Sequence, residues 1–216
     1  MKAMTARRRK NIPRLPSRRQ PKEQRREAIL AAAFEVFAAH GFEAARIDEV
    51  ARRAGIAKGT IYLYFRDKER LFQAVVRNLI PRRFDVLVRS LPGSPAEVLR
   101  AVLSQMYTNV VRNERVRAIV RMLVAESGRF PQLAEIYFQE IIVPGMRAMR
   151  QVLTKGMSTS EFHKARVSEF PQIVVAPGLL AMVWQLLFAK NHPLDLETYM
   201  QAHMDFVMRS LEPRRE

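Results

Sequence analysis

The sequence predicts an all-α protein of about nine helices, and three observations support this fold class. Apolar residues recur at spacings of three and four along most of the chain, as on one face of a helix. No segment shows the apolar–polar alternation of a half-buried strand. Proline and glycine residues separate the periodic segments, and a hydrophobic content of 48% is enough for a packed core.

The first helix is expected to begin near Arg25, where helical periodicity starts. Ile29, Ala33 and Val36 lie on its apolar face. Gly41 is expected to end it as a left-handed C-terminal stop, because glycine takes a positive φ without steric cost. Residues 1–24, in which three prolines lie among many charges, are expected to form a basic, flexible arm.

Two short helices are expected next, at residues 47–54 and 58–64. Ala51, Gly55 and Ile61 stand at the offsets that a helix-turn-helix requires. The small Ala51 lets the second helix approach the first, Gly55 supplies the positive φ of the turn, and Ile61 packs back into the core. This arrangement leaves one face of the second helix free to enter a DNA major groove.

The rest of the chain is expected to be helical as well. The fourth helix should run from residue 68 to about 88, with Pro81 kinking or dividing it. A break then follows at residues 91–95, where two prolines flank Gly93 and Ser94. Five further helices are expected at 96–112, 115–127, 130–154, 171–190 and 196–211, the third of them interrupted at Pro144 and Gly145.

Residues 25–72 resemble the DNA-binding domain of the TetR/AcrR family of bacterial transcriptional regulators. Three segments carry the resemblance: Arg26-Glu27-Ala28-Ile29-Leu30-Ala31-Ala32-Ala33, then Phe37 with Gly41-Phe42, and Lys58-Gly59-Thr60-Ile61-Tyr62-Leu63-Tyr64-Phe65 followed by Lys68-Glu69 and Leu71. The segment Glu126-Ser127-Gly128-Arg129-Phe130-Pro131 also resembles the AefR-like members. The resemblance implies a DNA-binding domain at residues 25–72 and an effector-binding and dimerisation domain at residues 73–216.

The resemblance also implies which residues contact DNA. By position these are Arg46, Lys58, Gly59, Thr60, Tyr62, Leu63, Tyr64 and Lys68. Lys58 and Gly59 would present charge and open backbone to phosphate at a helix N-terminus, and Lys68 would anchor the opposite strand. The alternative for Tyr62 and Tyr64 is that they are core aromatics.

This chain departs from the family pattern at three positions. Arg46 and Ala57 stand where the family usually has hydroxyl residues that cap the second and third helices, each cap being worth roughly 1 kcal/mol. Arg46 would instead add a charged, salt-dependent phosphate contact. Leu63 stands where histidine is common and would contact a thymine methyl group.

The C-terminal half is expected to bind an effector and to form a homodimer. The last two helices would pair with their symmetry mates in a four-helix bundle and set two recognition helices about 34 Å apart on a palindromic double-stranded DNA operator. Their apolar residues are Val174, Leu180, Val183, Leu187, Tyr199, Met200, Met204, Phe206 and Val207. Periodicity alone does not separate those that face a partner from those in the subunit core.

An effector pocket is expected at Tyr107, Met122, Phe138, Trp184 and Phe188, since a cavity lined by methionine and aromatic residues suits a small apolar molecule. The alternative is that these residues are ordinary core. The function predicted is a dimeric repressor that such an effector releases from its operator. A DNA-binding protein of the same fold without an effector, acting as an architectural or division-control factor, is the alternative.

Composition and motifs limit the other functions. The net charge of +16 is concentrated in residues 1–26, with eleven Lys and Arg residues against Glu23, which favours a polyanionic partner. Such an arm could reach into the minor groove of DNA or bind an anionic membrane surface. The chain has no cysteine, no catalytic motif and no paired histidines, so we expect no enzyme, metal site or cofactor. The lack of a long apolar segment or signal peptide predicts a cytoplasmic protein that binds no membrane.

Overall fold

The computed structural model of the chain describes residues 22–79, 91–163 and 166–213, and all the regular structure in these ranges is helical. The predicted all-α fold class is confirmed. The expected arm lies almost entirely outside the described residues, as does Pro81.

The N-terminal part contains four helices. They are α1 (Lys22–Ala44), α2 (Ile47–Ala54), α3 (Lys58–Tyr62) and α4 (Lys68–Arg77). The C-terminal part contains α5 (Pro95–Met106), α6 (Glu114–Glu126), α7 (Pro131–Tyr137), α8 (Val143–Ser158), α9 (Gln172–Leu187) and α10 (Leu196–Leu211). A π turn extends α5 (Tyr107–Val111), a second joins α7 to α8 (Phe138–Ile142), and a 3₁₀ turn (Arg166–Ser168) precedes α9. Counted as continuous helices, these make nine in the described ranges.

Several predicted helix ends differ from the structure, among them those of the first and fourth helices. Gly41 carries a positive φ of 77°, but its ψ of 179° is extended and helical residues resume as far as Ala44. The helix α4 ends at Arg77 because the amides of Asn78 and Leu79 donate to the carbonyls three residues earlier, which tightens the chain into a turn.

The interruption predicted at Pro144 and Gly145 takes the form of the second π turn. Proline has no backbone N–H and cannot donate to the carbonyl four residues earlier. The helix widens over Phe138–Ile142, and Pro144 then occupies the first turn of α8. The segment therefore continues from α7 into α8 without a loop.

The start of α5 is fixed by a capping box. The Ser94 hydroxyl accepts from the Glu97 amide, and the Ser94 amide donates to the Glu97 carboxylate at 2.8 Å. Pro95, at the first helical position, has no N–H that needs a partner. The break predicted at residues 91–95 is therefore the entry to α5.

Apolar side chains form two cores. The first core joins α1–α4 to α6 and α7, and its central residues include Phe37, Ile61, Phe72, Ile119 and Leu133. Because Ile119 and Leu133 lie outside the predicted DNA-binding range, the first core extends beyond residues 25–72. The helix α6 packs directly against α1 through this core.

The second core joins α5 and its π turn to α8, α9 and α10. Leu99, Tyr107, Met149, Ala181 and Met204 are buried in it. It is rich in methionine, whose unbranched side chain fills irregular spaces between helices. The second core thus forms the centre of the C-terminal half.

Candidate nucleic-acid interface

The helix-turn-helix has the predicted backbone. Gly55 adopts a left-handed conformation (φ 67°, ψ 32°), and the Ile56 amide donates to the Ala51 carbonyl at 3.0 Å. This pattern satisfies carbonyls at the end of α2. Ala51 and Ile61 are both buried, so their predicted packing roles are confirmed.

The recognition helix α3 is two residues shorter than predicted. It ends at Tyr62, and the amides of Tyr64 and Phe65 both donate to the Ile61 carbonyl at 2.9 Å. The chain therefore closes in a turn that carries Leu63 and Tyr64 at the edge of the exposed face.

The solvent-facing side of α3 and the turn after it present most of the predicted contact residues. Leu63 is 83% exposed and Tyr62 is 47% exposed, so neither is a core residue. A side chain at Gly59 would meet no heavy atom within 4 Å, which leaves its backbone open to a close approach. Thr60 is half-buried on the same helix. Tyr64 is also half-buried and packs against the first core.

Lys58 is paired within the helix-turn-helix. Its ammonium lies 3.0 Å from Oδ1 and 3.1 Å from Oδ2 of Asp48 on α2. Both side chains are about half exposed, so the pair contributes on the order of 0–1 kcal/mol. Such a weak pair can open when another anion approaches. That anion must compete with the Asp48 carboxylate for the Lys58 ammonium.

Lys68 is bound more firmly than Lys58. Its Nζ donates to the carbonyl oxygens of Glu43 (3.0 Å) and Ala45 (3.2 Å) and lies 4.7 Å above the Phe42 ring. Burial lowers the pKa of this ammonium. Lys68 therefore fastens the start of α4 to the connection between α1 and α2, in addition to any phosphate contact.

Neither Arg46 nor Ala57 supplies a side-chain cap to the helix that it precedes. Arg46 is exposed at the N-terminus of α2, where Asp48 and Glu49 in the first turn complement the helix dipole. By contrast, Asp67 caps α4 by accepting from the Arg70 amide at 2.7 Å.

The predicted pocket residues do not gather in one place. Tyr107 lies in the second core, whereas Met122 belongs to the first. Phe138 is about half exposed on the second π turn. Trp184 and Phe188 meet edge to face at the end of α9, with ring centroids 5.2 Å apart. The Trp184 indole N–H donates to the His192 carbonyl at 2.7 Å.

A buried polar network in the second core was not predicted. His203 Nε2 lies 2.8 Å from the Val174 carbonyl, which can only accept, so Nε2 carries the proton. Nδ1 then accepts from the Tyr107 hydroxyl at 3.0 Å. Burial lowers the pKa of His203, which favours this neutral form. The two residues are 96 positions apart, and no local pattern links them.

Two further features are lacking in the part of the chain that the structure describes. None of its helices is both long and apolar enough to cross a membrane. Within the same ranges, His, Asp and Glu residues form no group of three or more that could hold a metal ion.

Comparison with known proteins decides the family. Residues 29–75 match the tetR family of bacterial regulatory proteins, and residues 97–163 match the C-terminal domain of AefR-like transcriptional repressors. The HTH-type transcriptional regulator YvdT of Bacillus subtilis (strain 168) is 40% identical over 187 residues, which cover 86% of this chain and 94% of that protein. The chain belongs to the tetR family. It is therefore a DNA-binding transcriptional regulator and not an enzyme.

Two other proteins are also similar to this tetR-family regulator. The HTH-type transcriptional activator FasR of Mycolicibacterium smegmatis is 26% identical over 212 residues, covering 89% of this chain and 85% of that protein. The crystal structure of FadR from Bacillus subtilis in complex with stearoyl-CoA has a TM-score of 0.70 at 20% identity, covering 86% of this chain and 99% of that one. At that identity, FadR supports the fold alone.

Proposed function

We propose that the protein is a homodimeric repressor that a small, largely apolar effector releases from a palindromic DNA operator. The observation that carries this proposal is an apolar stripe on α9. Ile173, Leu180, Val183 and Leu187 follow one another at spacings of seven, three and four, which places them on one helix face. Leu180 is 57% exposed and Leu187 is 68% exposed.

Phe206, which is 70% exposed on α10, adds a large apolar side chain. Val174, Met200, Met204 and Val207 are buried in the second core and so belong to the subunit interior. Exposed apolar groups on the last two helices suit a self-complementary contact with a second copy of the chain. Such a dimer would carry two recognition helices for two half-sites about 34 Å apart.

The DNA-reading residues are proposed from their exposure on α3 and on the turn that follows it. Leu63 is proposed to contact a thymine methyl group and Tyr62 a phosphate, while Gly59 lets the backbone approach the groove. Arg46, Lys58, Thr60, Tyr64 and Lys68 are proposed as flanking contacts. Lys58 would exchange Asp48 for phosphate on binding.

The effector is proposed to bind at the second core. Five buried methionines (Met149, Met182, Met200, Met204 and Met208) give this core an adaptable apolar lining. The pair Tyr107 and His203 offers polar groups for orientation. The stearoyl-CoA complex of FadR makes long-chain acyl compounds the first effectors to test.

The direction of regulation is proposed from the C-terminal half. Residues 97–163 match a domain described as that of a transcriptional repressor. FasR is named an activator, so activation is the outcome that would contradict the proposed repression. A DNA-bound regulator is proposed to work in the cytoplasm, where the bacterial chromosome lies.

The alternative is a DNA-binding protein of the same fold that responds to no effector. The close approach of α9 to α5 at Gly178 favours it, since a Cβ there would displace the flexible end of the Met106 side chain. The helices α5 and α9 therefore pack closely at this point of the second core.

Selection of DNA from a random pool, followed by binding assays with and without acyl-CoA, separates the two proposals. The repressor proposal expects a palindromic consensus, one dimer per site and release by an acyl-CoA. A consensus whose binding never responds to acyl-CoA or to free fatty acids favours the alternative. A non-palindromic site bound by a monomer contradicts the dimer. A transcription assay in vitro on a promoter carrying the consensus then gives the sign of regulation.

A further inference from the structure

Residues 41–46 comprise the end of α1 after its break at Gly41 and the link to α2, and are called the connection below. A side chain from the C-terminal half holds this connection. Gly41 interrupts α1, so the amides that follow it no longer point at the carbonyls of the preceding turn. Glu126, the last residue of α6, accepts from both of them. Its Oε1 lies 3.0 Å from the Phe42 nitrogen and its Oε2 lies 2.9 Å from the Glu43 nitrogen.

Glycine is required for this contact. A Cβ at position 41 would lie 1.9 Å from Glu126 Oε1, so any other residue would displace the carboxylate. The φ of 77° at Gly41 is also one that other residues rarely adopt. The backbone break and the approach of Glu126 therefore belong to one arrangement.

A second contact holds the same connection from the turn after α6. The guanidinium of Arg129 donates from both terminal nitrogens to the two carboxylate oxygens of Glu43, with an Nη2–Oε1 distance of 2.8 Å. This bidentate geometry fixes orientation as well as distance. From the other side, Lys68 donates to the carbonyls of Glu43 and Ala45. Arg46, one of the predicted phosphate contacts, directly follows Ala45.

We infer that Glu126 and Arg129 are positioning residues for DNA binding. They fix the connection on which Arg46 and the start of α2 depend, and Lys68 fixes the same connection to α4. The two carboxyl–amide bonds tie α6 to the end of α1 at a point where the first core already joins these helices. The inference rests on the DNA-binding surface proposed above and requires no effector.

The negative charge of Glu126 allows a positioning role to be distinguished from a purely electrostatic effect on DNA affinity. A carboxylate near a DNA-binding surface repels phosphate, so its removal should strengthen binding to all DNA if only net charge matters. If Glu126 positions the connection, its removal should weaken binding to the selected sequence while non-specific binding stays equal or rises. A loss of the specific-to-non-specific ratio is therefore the diagnostic result.

The test compares Glu126→Gln with Glu114→Gln in the full chain. Glutamine keeps the shape at position 126 but turns one acceptor into a donor that faces an N–H. Glu114 lies on the same helix with its side chain 90% exposed, so its replacement removes the same charge without touching residues 41–46. Binding to the pool-selected DNA and to a scrambled duplex is measured at several salt concentrations.

The expected result is a specific-to-non-specific ratio about five- to tenfold lower for Glu126→Gln and unchanged for Glu114→Gln. Equal ratios in the two variants would overturn the inference. Arg129→Lys keeps the charge but loses the bidentate geometry, so it should lower the ratio as well. If Glu126→Gln fails to fold, Arg129→Lys provides the test in its place. Amide exchange at Phe42 and Glu43 should accelerate in Glu126→Gln, and unaltered exchange also counts against the inference. Wild-type protein that selects no DNA would contradict the proposed DNA-binding surface itself.

Discussion

Leu187→Ala tests the proposed dimer at the most exposed leucine of the apolar stripe. Leu187 lies in the last turn of α9 and is 68% exposed in the subunit. An exposed leucine adds almost nothing to the stability of the subunit. In a dimer built on the stripe, the same side chain would be buried against the partner, so the substitution should weaken association and leave folding intact.

The magnitude follows from the exposed fraction. Leucine exceeds alanine by about three carbon groups, each worth roughly 0.8 kcal/mol when fully buried. A partner can bury at most the 68% of Leu187 that the subunit leaves exposed, which gives about 1.6 kcal/mol per copy. Two-fold symmetry places the change in both subunits, so the dimer loses about 3 kcal/mol, or about a hundredfold in its dissociation constant.

Sedimentation equilibrium across a concentration series measures this change. Val124→Ala is the matched control, because Val124 is 79% exposed on α6, away from the stripe. Operator binding should weaken together with dimerisation and recover at higher protein concentration. A Leu187→Ala protein that dimerises as tightly as Val124→Ala and wild type would refute the assignment of the stripe to the dimer interface.

Three further changes test contacts within the subunit. Tyr107→Phe should lower the free energy of unfolding in urea by about 1–3 kcal/mol, because His203 Nδ1 loses its buried O–H donor; an unchanged midpoint would contradict the network. Gly41→Ala should cost about 1–3 kcal/mol in thermal unfolding, because its φ of 77° with ψ of 179° is strained for alanine. The Arg77 hydrogen bond lowers the pKa of Glu140 below 4.5, so stability should be full above about pH 4.5 and decline as the pH falls further. Glu140→Gln should lose this acid dependence in pH-resolved denaturation, and an identical profile would show that Glu140 does not contribute.

The fold and the helix-turn-helix were predictable because their signals are local. Helical periodicity needs only neighbouring residues, and the turn depends on Gly55 having φ > 0. The offset of Ile61 alone predicts a core residue, and Ile61 is buried. The end of α3 was not predictable to the residue, since the closing turn depends on backbone amides that converge on one carbonyl.

The long-range contacts could not be predicted in the same way. Glu126 meets Phe42 across 84 residues, and Tyr107 meets His203 across 96. Neither pair stands in a spacing that helices or turns repeat. Periodicity also places an apolar side chain on a buried helix face without showing in which of the two cores that face packs. The sequence therefore predicts one pocket for Met122 and Tyr107, whereas the two residues lie in different cores.

The distribution of charge indicates that specific and non-specific DNA binding depend on different parts of the chain. Residues 27–70 carry seven basic and seven acidic side chains, and Lys58 and Arg53 each pair with a carboxylate on α2. A neutral domain of this kind attracts DNA weakly at long range, so the excess of positive charge in residues 1–26 should supply most of the non-specific affinity. Deleting residues 1–24 should then weaken binding to selected and scrambled DNA by the same factor and flatten the dependence of both on salt. If binding to the selected sequence falls much more than binding to the scrambled duplex, those residues read sequence in the minor groove, and the division of roles is wrong.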